Sequence, residues 1–186
     1  MSDMDTHHND SPTALLRSLA ARALKHRRAL PQGDSIGGGS PRYIAFSLGG
    51  VRLATPMADV LEILSYPDLS PVPGAKRWLR GIAQVRGRLL SIVDFSDFLE
   101  GGVTALRRST RVLLAEHEDI LCGFIVDEVM GMKQHLPPVA SAPEEIDVPA
   151  WLQPVVLSTV HLDNHPWGVL AFEDIMRTPA FLQAAA

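Results

Sequence analysis

The pattern of apolar and polar positions between residues 81 and 95 predicts a β-hairpin. Residues 81–85 form a first strand pattern, Gly87-Arg88 provides turn chemistry, and residues 89–93 form an apolar run that ends at the acidic Asp94. Apolar runs of this length, rich in Ile and Val and bounded by turn residues, are typical of buried strands. The residues after Asp94 have the spacing of a short amphipathic helical turn.

The same order of positions occurs again near the C-terminus. Residues 163–166 make a turn, residues 167–172 an apolar strand, and Glu173 takes the place of the acidic residue. Both copies are preceded by a Trp-Leu pair, Trp78-Leu79 in the first and Trp151-Leu152 in the second. The chain therefore uses one strand–turn–strand–acid pattern twice.

A second similarity extends the repetition upstream. Residues 51–55 followed by 59–63 resemble residues 123–126 followed by 127–129, and each unit then meets a proline break, at residues 71–73 and at residues 137–138. The spacing between the copies is not constant, which excludes a regular solenoid. The pattern predicts one small β-module used twice.

The remaining pattern also predicts strands more than helices. Predicted strands cover residues 43–48, 51–55, 111–115, 120–129 and 154–162. Gly49-Gly50 and the polar residues 116–119 provide hairpin turns, whereas Thr55-Pro56 and Thr178-Pro179 have the cap-then-proline order that starts a helix. Many short strands with frequent turns indicate an all-β, barrel-like body.

Residues 1–40 form an N-terminal extension with a different pattern. Leucines and alanines recur at helical spacing and cations fill much of the other surface, so residues 12–30 are predicted to form a basic amphipathic helix. A Gly-rich linker follows and ends before the folded body. We expect domain boundaries at 1–40 for the extension, 41–180 for the body and 179–186 for a C-terminal helix and tail.

Composition and charge limit the functional classes. The chain has 186 residues, 46% of them hydrophobic, and no apolar run approaches the roughly 20 residues that span a bilayer. Its net charge is −4, and the body is the acidic part, which disfavours general nucleic-acid binding. One segment, residues 69–93, contains cations but no carboxylate.

The sequence predicts neither a catalytic centre nor a cofactor or metal site. Seven histidines and one cysteine lack the spacing of zinc ligands, and Cys122 lies in an apolar run where a buried, inert thiol is expected. No phosphate-binding glycine loop or nucleophile elbow is present. Asp94, Asp97, Asp127 and Glu128 are interpreted as caps at strand ends and not as catalytic pairs.

Several ordered motifs resemble the CheW-like coupling proteins of bacterial chemosensory systems. They are residues 46–48, 60–63, 71–73, 81–95 and 123–129, and together the resemblance covers about residues 42–178. Within the family, residues 85–90 and 126–132 look most like the coupling proteins of the type IV pilus, or twitching-motility, systems.

The resemblance implies a fold and a function. The fold would be mainly β, with two intertwined five-stranded SH3-like barrels, short helices and the N-terminal helical extension. The function would be that of a non-catalytic cytoplasmic adaptor without a cofactor. It would couple the cytoplasmic tip of a methyl-accepting receptor, in a membrane-anchored array, to the regulatory domain of a CheA-type histidine kinase, with no nucleic acid and no stable membrane insertion.

The resemblance also implies receptor-binding positions at Val60, Gly81, Arg86 and Gly87; it assigns no kinase-contact residue. Each has a structural alternative: Val60 as a core residue, Gly81 as a strand-start glycine and Gly87 as a turn glycine. Arg86 could pair with a carboxylate of its own surface, although none lies nearby in the sequence.

Three other functions are compatible with parts of the pattern. The chain could be the adaptor of a flagellar or other chemosensory pathway. A phosphorylation-dependent regulator would need a receiver domain, for which the chain is too short. A nucleic-acid-binding barrel could use Arg77, Arg80, Arg86 and Arg88, but the basic strand lacks interleaved aromatic residues.

Overall fold

The computed structural model describes residues 40–134 and 146–184, which form ten strands, three short α-helices and one 3-10 turn. The strands are β1 (Arg42–Leu48), β2 (Val51–Pro56), β3 (Glu62–Ser65), β4 (Leu79–Val85), β5 (Arg88–Asp94), β6 (Arg111–His117), β7 (Ile120–Val126), β8 (Glu128–Gln134), β9 (Ser158–Leu162) and β10 (His165–Val169). The helices are α1 (Phe95–Phe98), α2 (Phe172–Met176) and α3 (Pro179–Leu182), and the 3-10 turn spans Met57–Asp59. No helix among the described residues has the length and apolar character needed to cross a bilayer.

The strands form two five-stranded sheets, and the strands of both sheets pair in the same pattern. The first sheet runs β8-β1-β2-β10-β9 and the second runs β3-β6-β7-β5-β4. In each sheet one pair is parallel, β2 with β10 and β7 with β5, and the other pairs are antiparallel. This mainly β architecture of two five-stranded units is the fold class that the resemblance implied, and it is confirmed.

The two sheets exchange strands. β3 follows β2 in the chain but pairs with β6 of the second sheet, whereas β8 follows β7 but pairs with β1 of the first sheet. Strands β2 and β3 contain most of residues 51–63, and strands β7 and β8 contain most of residues 123–129, so the similar segments occupy equivalent places. Neither sheet can be completed by one half of the chain alone.

An aromatic cluster packs between the sheets. The rings of Phe124 and Phe172 stack with centroids 4.5 Å apart, and Phe95 meets Phe124 edge to face at 5.3 Å. Phe46 of β1 stacks on the ring of Phe172 at 6.1 Å. Because Phe46 belongs to the first sheet and Phe124 to the second, these ring contacts join the two units into one core.

The acidic residues at the strand ends differ in role. Asp94 is buried and caps α1: its carboxylate accepts hydrogen bonds from the Asp97 N–H at 3.3 Å and from the Thr104 hydroxyl at 2.6 Å. At the equivalent position before α2, the structure has Ala171, which offers no side-chain cap. The alignment of Glu173 with Asp94 was therefore wrong by two residues, since Glu173 lies inside the first turn of α2.

Three strand boundaries also differ from the sequence pattern. The predicted strand 120–129 breaks at Asp127, whose N–H bonds to the Ser47 carbonyl at 3.0 Å as the chain crosses to the other sheet. The predicted strand 154–162 begins only at Ser158, because turns precede it. The run 167–172 ends as a strand at Val169 and enters α2 at Phe172.

The two terminal segments have different outcomes. The amphipathic helix and linker predicted before residue 40 lie outside the described residues. At the other end, the Thr178 hydroxyl accepts a hydrogen bond from the Phe181 N–H at 3.3 Å and caps α3, as the Thr-Pro order predicted.

Candidate functional site

The β4–β5 hairpin carries two of the predicted binding residues in its turn. Val85 pairs with Arg88, so the turn residues are Arg86 and Gly87, one position earlier than the predicted Gly87-Arg88. Their φ angles are 50° and 80°. Two consecutive positive φ values define the tight type I′ turn, in which glycine is favoured at the second position. Gly87 therefore has a structural role whatever else it does.

Arg86 reaches from this turn to the edge strand β3. Its Nη2 lies 2.6 Å from Oε1 of Glu62, and the two side chains are 78% and 26% exposed. Arg88 makes a second pair of this kind, with Glu116 at 3.0 Å. An exposed pair contributes at most about 1 kcal/mol to stability. The pair joins the hairpin tip to Glu62, the first residue of β3.

Val60 lies at that start, between the 3-10 turn and β3. Its side chain is half-buried against the main core, and the N–H of Leu61 bonds to the Leu114 carbonyl at 2.8 Å. Val60 therefore packs against the core, as the structural alternative predicted, but its side chain is only partly buried.

Exposed apolar residues lie close in the chain to both partners of the ion pair. Leu61, just before β3, is 53% exposed, Ile63 on β3 is 41% exposed, and Leu89 on β5 is 69% exposed. We call Leu61, Glu62, Ile63, Arg86 and Leu89 the hairpin patch. Exposed large apolar side chains so close in the chain to a charged pair are more typical of an interaction surface than of a solvated face.

Gly81 lies away from the hairpin patch. It precedes Arg86 by five residues on β4, or about 16 Å along the strand. Its φ is +148°, and an added Cβ would lie 2.6 Å from the Ser70 carbonyl oxygen. Ser70 and Ile82 exchange two backbone hydrogen bonds of 2.9 Å at this point. Gly81 therefore allows residues 69–70 to pack against β4, and the structure does not bring it together with Arg86.

The sequence interpretation missed the partner of Arg86 and the apolar part of the patch. Glu62 is far from Arg86 in the sequence and reaches it only because β3 joins the second sheet. Ile63 had a signal in the alternation of β3, where exposed and half-buried residues take turns, and Leu61 directly precedes that strand. Leu89 had none, because its apolar run also contains the buried Leu90 and Ile92.

Residues 69–93 contain no carboxylate of their own, but in the folded protein three arginines of this segment contact carboxylates of other segments. Arg77 Nε donates to Asp97 at 3.0 Å, and this contact raises the pKa of the Arg77 guanidinium. Arg86 and Arg88 are paired as described above. Because three of the four arginines considered for nucleic-acid binding already face carboxylates, that alternative loses its main support.

A metal centre and a reactive thiol are two features that can be checked among the described residues. No three histidine, cysteine or acidic side chains gather in a possible metal site within residues 40–134 and 146–184. Cys122 is fully buried in β7, as the sequence predicted, and burial raises the pKa of its thiol. A protonated thiol without access to solvent is a poor nucleophile.

Comparison with known proteins agrees with this fold. A family model described as the CheW-like domain matches residues 42–180. The chain belongs to the CheW-like family.

Two relatives and one solved structure illustrate the range of similarity. Protein PilI of Pseudomonas aeruginosa is 37% identical over 186 residues, covering 100% of this chain and 99% of its own length. Chemotaxis protein CheW of Thermotoga maritima is 24% identical over 90 residues, covering 48% of this chain and 58% of that protein. The crystal structure of the scaffolding protein TtCheW from Thermoanaerobacter tengcongensis has a TM-score of 0.60 at 17% identity, covering 80% of this chain and 96% of that one. This CheW-like protein thus shares its fold with a known scaffold.

Proposed function

We propose that this CheW-like protein is a non-catalytic adaptor that couples a methyl-accepting chemoreceptor to a CheA-type histidine kinase. The cytoplasmic tip of the receptor and the regulatory domain of the kinase are its two partners. Similarity to PilI along the whole chain supports a place in the type IV pilus system, in the cytoplasm beside membrane-anchored receptor arrays. A flagellar or other chemosensory pathway is the alternative.

The observation that carries the receptor-binding part of this proposal is the Arg86–Glu62 pair. It places the Arg86 guanidinium at the hairpin tip beside Glu62, whose chain neighbours Leu61 and Ile63 are exposed. A helical receptor tip that presents acidic or polar groups beside apolar ones would match this surface. We assign Arg86 and the neighbouring Val60 and Gly87 to the receptor contact.

Gly81 has a supporting role in this proposal. Its contact with Ser70 sets the path of residues 69–70 beside β4. A larger residue there would shift the hairpin that presents Arg86. Gly81 would then influence receptor binding through backbone position and not through a contact of its own.

Substitution of Arg86 tests the proposal. Arg86→Glu replaces attraction by repulsion, both toward Glu62 and toward an acidic receptor, and like charges facing each other at an interface cost several kcal/mol. We expect at least a tenfold loss of affinity for a receptor-tip fragment, equal to about 1.4 kcal/mol. Binding to a kinase regulatory-domain fragment should be nearly unchanged.

The control for this experiment is Arg108→Glu, which makes the same charge change at an exposed position shortly before β6. It should leave receptor affinity within about twofold. Melting curves of both variants should remain within a few degrees of the parent protein, because exposed substitutions change stability by about 0.5 kcal/mol. Receptor affinity that is unchanged in Arg86→Glu would contradict the proposal and would mean that the receptor-binding surface lies elsewhere.

A further inference from the structure

The edge strand β8 has an exposed apolar surface that the receptor proposal does not use. Glu128, Met130, Met132 and Gln134 are exposed and alternate with half-buried residues. Met130 is 37% exposed and Met132 is 55% exposed. On its other side β8 pairs with β1, so its outer edge has no strand neighbour among the described residues of the first sheet. Proteins commonly cover such an edge with a helix or a loop, because an open edge promotes aggregation.

The chain before β1 starts beside this strand. Arg42, the first residue of β1, pairs with Gln134, and Ile44 pairs with Met132. Whatever precedes Arg42 therefore leaves the first sheet at the end of β8, within two ladder positions of Met132. Residues 31–41 can span about 36 Å when extended and about 18 Å as a flexible chain. A short tether of this kind gives its attached segment an effective concentration in the millimolar range.

The sequence of residues 12–30 matches this surface in length and chemistry. As a helix it would be about 28 Å long, and β8 is about 24 Å long. Its leucines recur on one side, and Met130 and Met132 are adaptable apolar partners for them. Its five cations oppose the acidic body, and Glu128 is the one ionisable residue among the four exposed residues of β8.

We propose that residues 12–30 of the same chain form a helix that packs on the outer surface of β8 and covers Met130 and Met132. The leucines of the segment make the apolar contact, and its arginines and lysine stay toward solvent, where one of them can reach Glu128. This contact protects the edge strand while no other partner occupies it. A membrane is a weaker candidate for the same leucines, since the segment has no Trp or Phe to anchor it in a lipid interface.

Cysteine labelling tests the contact in the full chain. Cys122 is buried, so Met132→Cys introduces one accessible thiol. We expect Leu15→Asp together with Leu19→Asp to increase the rate of thiol labelling at position 132 at least threefold, because a charged helix face would leave β8. Ala14→Asp together with Ala21→Asp adds the same charge on the opposite side of the helix and should leave the rate unchanged.

Position 63 provides the matched control on the body. Ile63 is 41% exposed on β3, the strand equivalent to β8 in the second sheet. The labelling rate of Ile63→Cys should be the same with and without the leucine substitutions. Equal rates at position 132 in both backgrounds, or equal acceleration at positions 132 and 63, would overturn the proposal.

Cross-linking gives a second measurement that keeps the leucine face largely intact. The pair Leu19→Cys and Met132→Cys should form a disulfide within a single chain under mild oxidation, whereas Leu19→Cys and Ile63→Cys should not. The product should be monomeric and independent of protein concentration. A cross-link that forms only between two chains, or equally with position 63, would show that the segment does not cover its own β8.

Discussion

At the scale of single residues, Asp59 is the most informative titratable group. It ends the 3-10 turn next to Val60, and burial raises the pKa of its carboxyl to about 6, with Glu173 adding to the rise. The hydroxyl of Thr55 opposes this shift by donating a hydrogen bond of 3.4 Å to Asp59, and Asp174 adds a smaller rise. The folded protein therefore binds a proton at Asp59 more readily than the unfolded chain does.

This shift predicts a pH-dependent stability with a definite sign. Between about pH 6 and pH 4 the folded state holds more protons at Asp59, so stability rises as the pH falls through this window. Two pKa units correspond to about 3 kcal/mol; because the carboxylate still contacts water, we expect about 1 kcal/mol. Asp59→Asn should raise the melting temperature at pH 7.5. It should also reduce the increase in stability that the parent protein shows as the pH falls from 6 to 4.

Asp119→Asn is the control for this measurement, since Asp119 is exposed at the tip of the β6–β7 hairpin. It should leave both the melting temperature and its pH dependence close to those of the parent. A destabilising Asp59→Asn at pH 7.5 would show that the ionised carboxylate supports the fold and would contradict this prediction.

Cys122 provides a second prediction at this scale. Its side chain is enclosed in the main core between β5 and β6, so a charged replacement would be buried without a partner. Cys122→Asp should abolish cooperative thermal unfolding, whereas Cys122→Ala should lower stability by about 1–2 kcal/mol. Circular dichroism melting separates the two. Rapid labelling of Cys122 in the native protein, without denaturant, would contradict the burial on which this prediction rests.

At the scale of elements, hairpins could be predicted from the sequence and longer-range pairing could not. The β1–β2 and β6–β7 hairpins follow from alternation and turn residues that are adjacent in the chain, and the structure confirms them. The break at Asp127 had no such local signal, because it depends on β8 pairing with β1 far away in sequence. The Arg86–Glu62 contact was missed for the same reason: the exchange of β3 creates it.

The β4 strand gives a prediction at this scale, through Gly81. Gly81→Ala combines an unfavourable positive φ with a Cβ 2.6 Å from a backbone oxygen, so residues 69–70 would have to move away from β4. We expect a loss of about 2 kcal/mol in the free energy of unfolding. Gly74→Ala is the control, since Gly74 also has a positive φ but a Cβ added there would meet nothing within 4 Å. Its smaller loss should reflect backbone strain alone; equal losses for the two variants would exclude a role for the Ser70 contact.

At the scale of the whole molecule, the exchange of β3 and β8 makes each half of the chain incomplete. Residues 1–105 contain the β1–β2 hairpin of the first sheet and the β4–β5 hairpin of the second sheet. The strands that extend these hairpins into sheets belong to the other half: β10 pairs with β2 in the first sheet, and β6 and β7 lie between β3 and β5 in the second. The same holds in reverse for residues 106–186, whose β6–β7 and β9–β10 hairpins lie in different sheets. Each half alone would also expose its part of the aromatic core, including Phe95 in one and Phe124 in the other.

This interdependence predicts that the two halves fold only together. Fragments 1–105 and 106–186, cut in an exposed loop beyond Thr104, should each lack a cooperative thermal transition. Mixed in equal amounts, they should form a one-to-one complex with the β-sheet circular dichroism of the intact protein. Phe124→Asp in the second fragment should prevent this, because the charge would enter the core that both fragments build. A cooperative transition in either fragment alone would show that one sheet is stable without the exchanged strand, and the two units would then be independent domains.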